Sequence, residues 1–194
     1  MSITRFAEAY PPDKPRRDVT EDIHDEVGGA VPRSLHDLWD HIGFGKHRNG
    51  LLDLIDPTQY YDHYAGFFGG GPAGRIPFLM NAFGEPIAYR RISAREGEVS
   101  ILHTYGPKIE VLAYDFDDFF DRVLLTDDGL REVVNVSLFN QVKSGLRSLR
   151  QNEVYGFDPQ LLEEMPKGTK ADATFFGIVD AREHLNLLLN SAKS

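Results

Sequence analysis

The side chains best suited to chemistry in this 194-residue chain are its seven histidines, its serines and its thirty carboxylates. His36 and His41 stand five apart, so they do not share one face of a helix, whereas Asp37 and His41, four apart, do. An Asp–His pair alone is an ordinary surface contact. A metal site needs a third and a fourth ligand, which His47 and His63 supply only if the tertiary fold brings them there. His47-Arg48-Asn49 lacks the surrounding frame of a nuclease histidine. No serine sits in the Gly-x-Ser-x-Gly elbow that presents a hydrolase nucleophile. No pair of carboxylates is singled out by its neighbours for acid–base work. Gly69-Gly70-Gly71 has the composition of a phosphate loop without its context: Pro72, Arg75 and a strand pattern follow, and no Gly-Lys-Ser/Thr occurs anywhere. That run reads as a flexible link from helix to sheet. The expectation is a protein without catalytic residues, cofactor or metal.

Charge is more informative. Thirty acids against 21 Lys and Arg leave a formal charge of −9. This balance argues against binding to DNA, RNA or anionic lipid, because neutralising phosphate takes clustered Lys and Arg. It favours a basic protein partner. The excess is spread along the chain: residues 1–110 hold sixteen acids and twelve bases, residues 111–194 fourteen and nine. Two clusters stand out, Asp18, Glu21, Asp22, Asp25 and Glu26, and then Asp115, Asp117, Asp118 and Asp121. Carboxylates of the second cluster suit a helix start, where they cap free N–H groups and oppose the macrodipole. The first cluster reads either as a solvated helix face or as a partner surface. Both are expected to face a basic partner more than the Arg90-Arg91 edge does. The chain has no cysteine, which removes disulfides, thiolate metal sites and a Cys nucleophile and suits the reducing cytoplasm. Met1 to Tyr10 has a single Arg and no apolar h-region, so no signal peptide is expected. No stretch reaches the length of an apolar membrane span.

The elements that must carry these residues follow from periodicity. Residues 2–9 suit a short helix, which the prolines of Tyr10-Pro11-Pro12-Asp13-Lys14-Pro15 end. Leu35, Leu38, Trp39 and Ile42 form one apolar stripe on a helix beginning at Pro32 and stopped by Gly43. Leu51–Ile55 reads as a strand, and Asp56-Pro57 as a helix start. Tyr60, Tyr61, Tyr64, Phe67 and Phe68 follow at roughly helical spacing, which makes core packing their default role. Runs at 76–83, 87–92, 99–104 and 109–114, separated by Gly84-Glu85-Pro86, Glu96-Gly97-Glu98 and Tyr105-Gly106-Pro107, predict an antiparallel meander. Phe116, Phe119, Phe120, Val123 and Leu124 line one helical face. Ser137–Leu149 reads as another helix. A last helix starts at Asp180 with Glu183 as capping partner and buries Leu185, Leu188, Leu189 and Ala192. The expected fold is α+β: an antiparallel meander flanked by helices over 1–126, with a smaller, mostly helical subdomain over 127–194 packed on it.

The run Pro32-Arg33-Ser34-Leu35-His36-Asp37-Leu38-Trp39, then Gly43-Phe44-Gly45, then Asn49-Gly50-Leu51-Leu52-Asp53-Leu54-Ile55-Asp56-Pro57, and then Asn81-Ala82-Phe83-Gly84-Glu85 resembles the GAD-like domain family over residues 3–115. Leu138-Phe139 and Asn152-Glu153-Val154-Tyr155-Gly156-Phe157-Asp158-Pro159, followed by a helix with His184-Leu185, is similar to the domain that usually follows it. Family members often continue with a Gly-Gly turn where Glu163-Glu164-Met165-Pro166-Lys167-Gly168 stands here. Together the two parts resemble immunity proteins encoded beside DNase effectors of bacterial type VI secretion. The resemblance implies an inhibitor that binds a toxic nuclease inside the producing cell. It supplies no catalytic residues. The shared residues Trp39, Gly43, Gly45, Gly50, Asp56, Pro57, Phe83, Gly84, Tyr155 and Gly156 are implied to be fold determinants. Two other classes stay open: a non-catalytic RNA- or ligand-associated module, since GAD domains also occur in tRNA-dependent amidotransferases and synthetases, and a hydrolase whose His and acids meet only in the fold.

Overall fold

In a computed structural model the described residues are 2–14, 16–68, 74–94, 96–104, 108–157 and 172–191. The glycine run 69–71, the turn 105–107, the segment 158–171 and Ala192 lie outside them. So do the side chains of Phe67, Phe68 and Leu189.

The opening helix α1 (Ser2–Ala9) lays Phe6 into the core. The chain then runs alongside β1 (Gly45–His47), with bridges Pro12 to His47 and Arg17 to Phe44. Helix α2 (Glu21–Val27) carries the first acidic cluster. Helix α3 (Arg33–Ile42) buries Leu35, Leu38, Trp39 and Ile42, the stripe that the spacing predicts. Pro32 is its N-cap rather than its first residue, with extended backbone at ψ 155°. Gly43 ends α3 at φ +71°, and an added Cβ would stand 2.6 Å from the Arg17 carbonyl oxygen, so only glycine fits there.

The main sheet is a six-stranded antiparallel meander: β1, β2 (Leu52–Leu54), β3 (Ile76–Asn81), β4 (Pro86–Arg91), β5 (Gly97–His103) and β6 (Lys108–Ala113), each paired with the next. The sequence pattern does not show β1, because three residues are too few for alternation. Its turn into β2 holds Arg48, Asn49 and Gly50 at φ +52°, +59° and +84°. The Asp13 carboxylate anchors that turn by accepting from the Asn49 and Gly50 N–H groups. Asp56 starts a 3₁₀ turn, Pro57–Gln59, rather than an α-helix; its carboxylate accepts from Thr58 N–H, and α4 (Tyr61–Phe68) begins only afterwards.

Helices cover both faces of the sheet. Ile76, Ile87, Val99 and Ile101 join Leu35, Trp39, Phe116, Phe119 and Phe120 in the larger cluster. Met80, Ala88 and Leu102 join Tyr60, Tyr64, Val154 and Leu185 in the smaller one. Tyr60, Tyr61 and Tyr64 are therefore core, as the spacing suggests. Helix α5 (Phe116–Asp118) passes into a π-helical stretch, Phe119–Leu124, where Leu125 N–H bonds back five residues to Phe120.

Beyond residue 126 come α6 (Asp127–Val133), α7 (Val136–Gly145), β7 (Glu153–Phe157), β8 (Phe176–Asp180) and α8 (Ala181–Ser191). β7 and β8 pair as a second, two-stranded antiparallel sheet. α7 stops four residues earlier than its apolar pattern, yet Leu149 is still buried from the following loop. The Asp180 carboxylate caps α8 through the Arg182 and Glu183 N–H groups.

The core crosses the step at 126. Leu130, Val133, Phe139, Val142, Tyr155 and Phe176 share one cluster with Phe6 and Trp39. The turn Asn81–Glu85 is the clasp. Asn81 Nδ2 donates to the Val133 carbonyl at 2.7 Å, and its Oδ1 accepts from the Phe83 and Glu85 N–H groups. The Tyr155 N–H donates to the Ala82 carbonyl at 2.8 Å, and Phe83 packs on the Phe176 ring. Gly84 sits at φ +80° with Val154 against it. Lys46 adds a buried tie, donating to Asp53 Oδ2 and to the Glu153 carbonyl, both at 2.8 Å.

Candidate functional site

Helix α2 is short, and one face of it carries little but charge. Val27 is buried and Ile23 packs against the larger cluster, while Glu21, Asp22, Asp25 and Glu26 are exposed. Asp18, just before the helix, is exposed too. None of these five makes an ion pair or a side-chain hydrogen bond among the described residues. A chain of polar contacts holds the helix on α3. His24 Nε2 donates to Asp40 Oδ1 at 2.9 Å, and the Nδ1 atoms of His24 and His36 face each other at 2.7 Å. His36 Nε2 donates to the Gly28 carbonyl at 3.1 Å, and both rings lie against Trp39. The histidines here serve to fix an acidic helix in place.

The second cluster is used differently. Asp115 is the N-cap of α5, accepting from the Asp117 and Asp118 N–H groups. Asp118 faces Arg122 at 3.5 Å, and Asp121 pairs with Arg5 at 3.0 Å. Asp117 is exposed; partial loss of its hydration, and after it the Asp115 charge, raise its carboxyl above the ordinary carboxylate value. Arg33 stands between the clusters. It borders one cleft with His24, His36 and Asp40, and another with Asp115 and Asp117. The face over α2, α3 and α5 is thus mostly acidic, and Arg33 is itself tied to Asp37 at 2.8 Å.

Asp37 and His41 lie one turn apart on α3, but Asp37 turns to Arg33, four residues earlier, and His41 is exposed. His47 is buried and donates from Nδ1 to the Tyr10 carbonyl; burial lowers its basicity. His63 bonds Asn186. Among the described residues, no group of three or more His, Asp and Glu side chains is placed to hold a metal ion. The basic edge is committed as well. Arg90 and Arg75 both bond Glu98, and Arg91 donates to the Val31 carbonyl. Burial raises the Glu98 carboxyl, but its bonds to Arg90 and Arg75 outweigh that and hold it low.

The shared residues of the sequence motifs lie in the frame behind this face. Trp39 and Tyr155 are almost wholly buried, and the Tyr155 hydroxyl donates to the Arg147 carbonyl. Gly45 has φ +144° at the start of β1. Asp56 pairs with Arg17 at 2.8 Å beside the buried Pro57. Gly156 leaves room for Val179 and His184, whose atoms would lie within 3 Å of an added Cβ. One feature that the sequence did not signal is a cleft of about 520 Å³ between β7, β8 and α8, bordered by Phe157, Phe175, Phe176 and the buried His184. Burial pushes the His184 imidazole down to about 4. No local pattern marks such a cleft, because its walls come from residues up to 31 positions apart.

No protein-family model matches the chain, and no curated protein matches it. Its fold is similar to that in the crystal structure of Atu4351 from Agrobacterium tumefaciens. The TM-score is 0.70 at 16% identity, covering 94% of this chain and 86% of that one. At this identity the likeness speaks to the α+β fold alone. No described helix is long and apolar enough to cross a membrane.

Proposed function

We propose that this chain is an immunity protein. It binds a cognate nuclease toxin, a DNase effector of a bacterial type VI secretion system, in the cytoplasm and neutralises it by blocking or distorting its active site. The observation that carries the reading is the exposed carboxylate set of Asp18, Glu21, Asp22, Asp25 and Glu26, which no cation of the described chain satisfies. Asp25 and Glu26 lie in the last turn of α2, where the helix dipole disfavours negative charge. Their placement does nothing for the helix and fits a role outside it.

A nuclease must offer a basic groove to DNA phosphates. An acidic face held on a rigid frame steers onto such a groove and raises the association rate. Affinity then comes from a few desolvated anchors rather than from total charge. The secretion-system context rests on the sequence resemblance. The RNA-associated alternative draws no support from Arg90 and Arg91, since both are engaged within the fold.

The test is co-purification with the nuclease encoded beside the gene, followed by a DNA-cleavage assay at equimolar protein. Stable binding and loss of cleavage are expected. Undiminished cleavage at a saturating concentration removes the proposal.

A further inference from the structure

The main sheet has two edges, and the chain treats them differently. Along β1, Asp13 N–H donates to the Lys46 carbonyl, Arg48 N–H to the Pro11 carbonyl, and Arg17 and Phe44 exchange a pair of backbone bonds. That edge is covered by the chain's own N-terminal segment. Strand β6 closes the other side of the meander, and among the described residues no backbone group pairs with its outer edge.

We propose that the outer edge of β6 is a docking site for an extended, basic segment of the nuclease partner, which joins the sheet as a seventh strand. The identity of the partner rests on the function proposed above. Three observations carry the site. First, Lys108, Glu110 and Val111 of β6 are exposed, and so is Tyr114 just beyond it. Val111 is 40% and Tyr114 71% exposed, two large side chains of the kind that anchor interfaces. Second, a cleft of about 470 Å³ runs beside the end of the strand, floored by Leu112 and Tyr114 and walled by α5 and α6. Third, the cleft wall carries Asp118, Asp128 and Glu132; Arg122 faces Asp118 at 3.5 Å and Arg131 holds Asp128 at 2.6 Å, so the spare charge there is that of Glu132. Glu132 makes no ion pair among the described residues. A Lys or Arg projecting from an added strand would find unneutralised carboxylate there.

In strand addition the main-chain bonds supply affinity and alternate side chains supply specificity. The strand also has guards against indiscriminate pairing. Lys108, at its start, is paired with Glu110 at 2.8 Å, and Leu112 is an extra residue that bulges the strand opposite Val99 and Ser100. These guards sit toward its two ends and leave Ile109 to Val111 as the regular stretch.

The experiment uses the whole chain and the nuclease encoded beside its gene. Hydrogen exchange is followed for amides 108–113, free and in the complex; slowing by about tenfold or more is expected at the outward-facing amides. Val111→Lys and Tyr114→Lys, both at exposed positions, are each expected to weaken Kd by about tenfold. Val111→Thr should bind like the wild type, and all three should melt within about 2 °C of it. If the wild type binds and inhibits while exchange over 108–113 and both Lys variants' Kd are unchanged, the edge site is overturned and the inhibitor reading stands. If the wild type does not bind the nuclease at all, both fall together.

Discussion

Five carboxylates on and before α2 and four around α5 bring the same charge to neighbouring parts of the surface, on either side of α3. Around α5 the charge is largely used by the fold. Asp115 caps the helix, Asp118 faces Arg122, and Asp121 holds Arg5, 116 residues away in sequence. On α2 the histidine of the helix is tied down to Asp40, while its carboxylates meet no cation of the described chain. Acidic density is therefore a poor measure of what a surface offers a partner. The useful quantity is charge left over after caps and ion pairs are subtracted, and by that measure α2 is the richer face.

The contrast between engaged and spare charge can be broken at its strongest point first. Asp53→Ala leaves the Lys46 ammonium buried with only a carbonyl partner. A loss of about 3–5 kcal/mol is expected from denaturant unfolding, and a loss below about 1 kcal/mol would show that buried charge here is not engaged in the sense argued.

His184 extends the contrast to a buried base. Its imidazole is pushed down from 6.5 to about 4 by burial, so the folded state stays neutral while the unfolded chain takes up a proton. Stability from this group is complete above about pH 6.5 and falls on acidification towards pH 4, by about 3 kcal/mol. His184→Leu should flatten that part of a stability-against-pH curve. A curve that keeps the wild-type slope would mean that another group governs it. Glu153 contributes lower down: Arg147 holds its carboxyl at about 2, so its contribution is present above the ordinary carboxylate range and is lost as pH falls towards 2.

Asp115→Ala removes an N-cap and should cost about 1 kcal/mol in thermal or denaturant unfolding. The smallest stability effect is expected where the largest binding effect lies. Asp25→Asn with Glu26→Gln should change stability by less than about 0.5 kcal/mol, with any change favourable, because both leave the negative end of a helix dipole. The same double variant should slow association with the nuclease and flatten its salt dependence in stopped-flow measurements. An unchanged on-rate would erase the distinction between the two clusters.

Much of the frame is legible in the sequence. The apolar stripe of α3, the turn glycines 43 and 84, and the strand runs from Ile76 onward each depend on residues within one or two turns of one another. Physical preference acts locally there. The misreadings arise where it does not. β1 is too short to show a period, and it exists because β2 pairs with it on one side and the Pro12–His47 bridge holds it on the other. Asp56-Pro57 suits the start of an α-helix, whereas the chain forms a 3₁₀ turn there, with Asp56 capping Thr58 N–H and paired with the distant Arg17.

By itself, then, the sequence determined the meander, the helices that flank it and the surplus of negative charge, since hydrophobic periodicity, turn residues and composition act over short stretches of chain. Only the tertiary structure decided which carboxylates remain unspent, which edge of the sheet stays open and how the Asn81–Glu85 turn clasps the two halves. Much of this depends on partners far away in the chain, as Arg17 is from Asp56, Asn81 from Val133 and Arg5 from Asp121. Contacts at that range are set by packing, which no local pattern encodes.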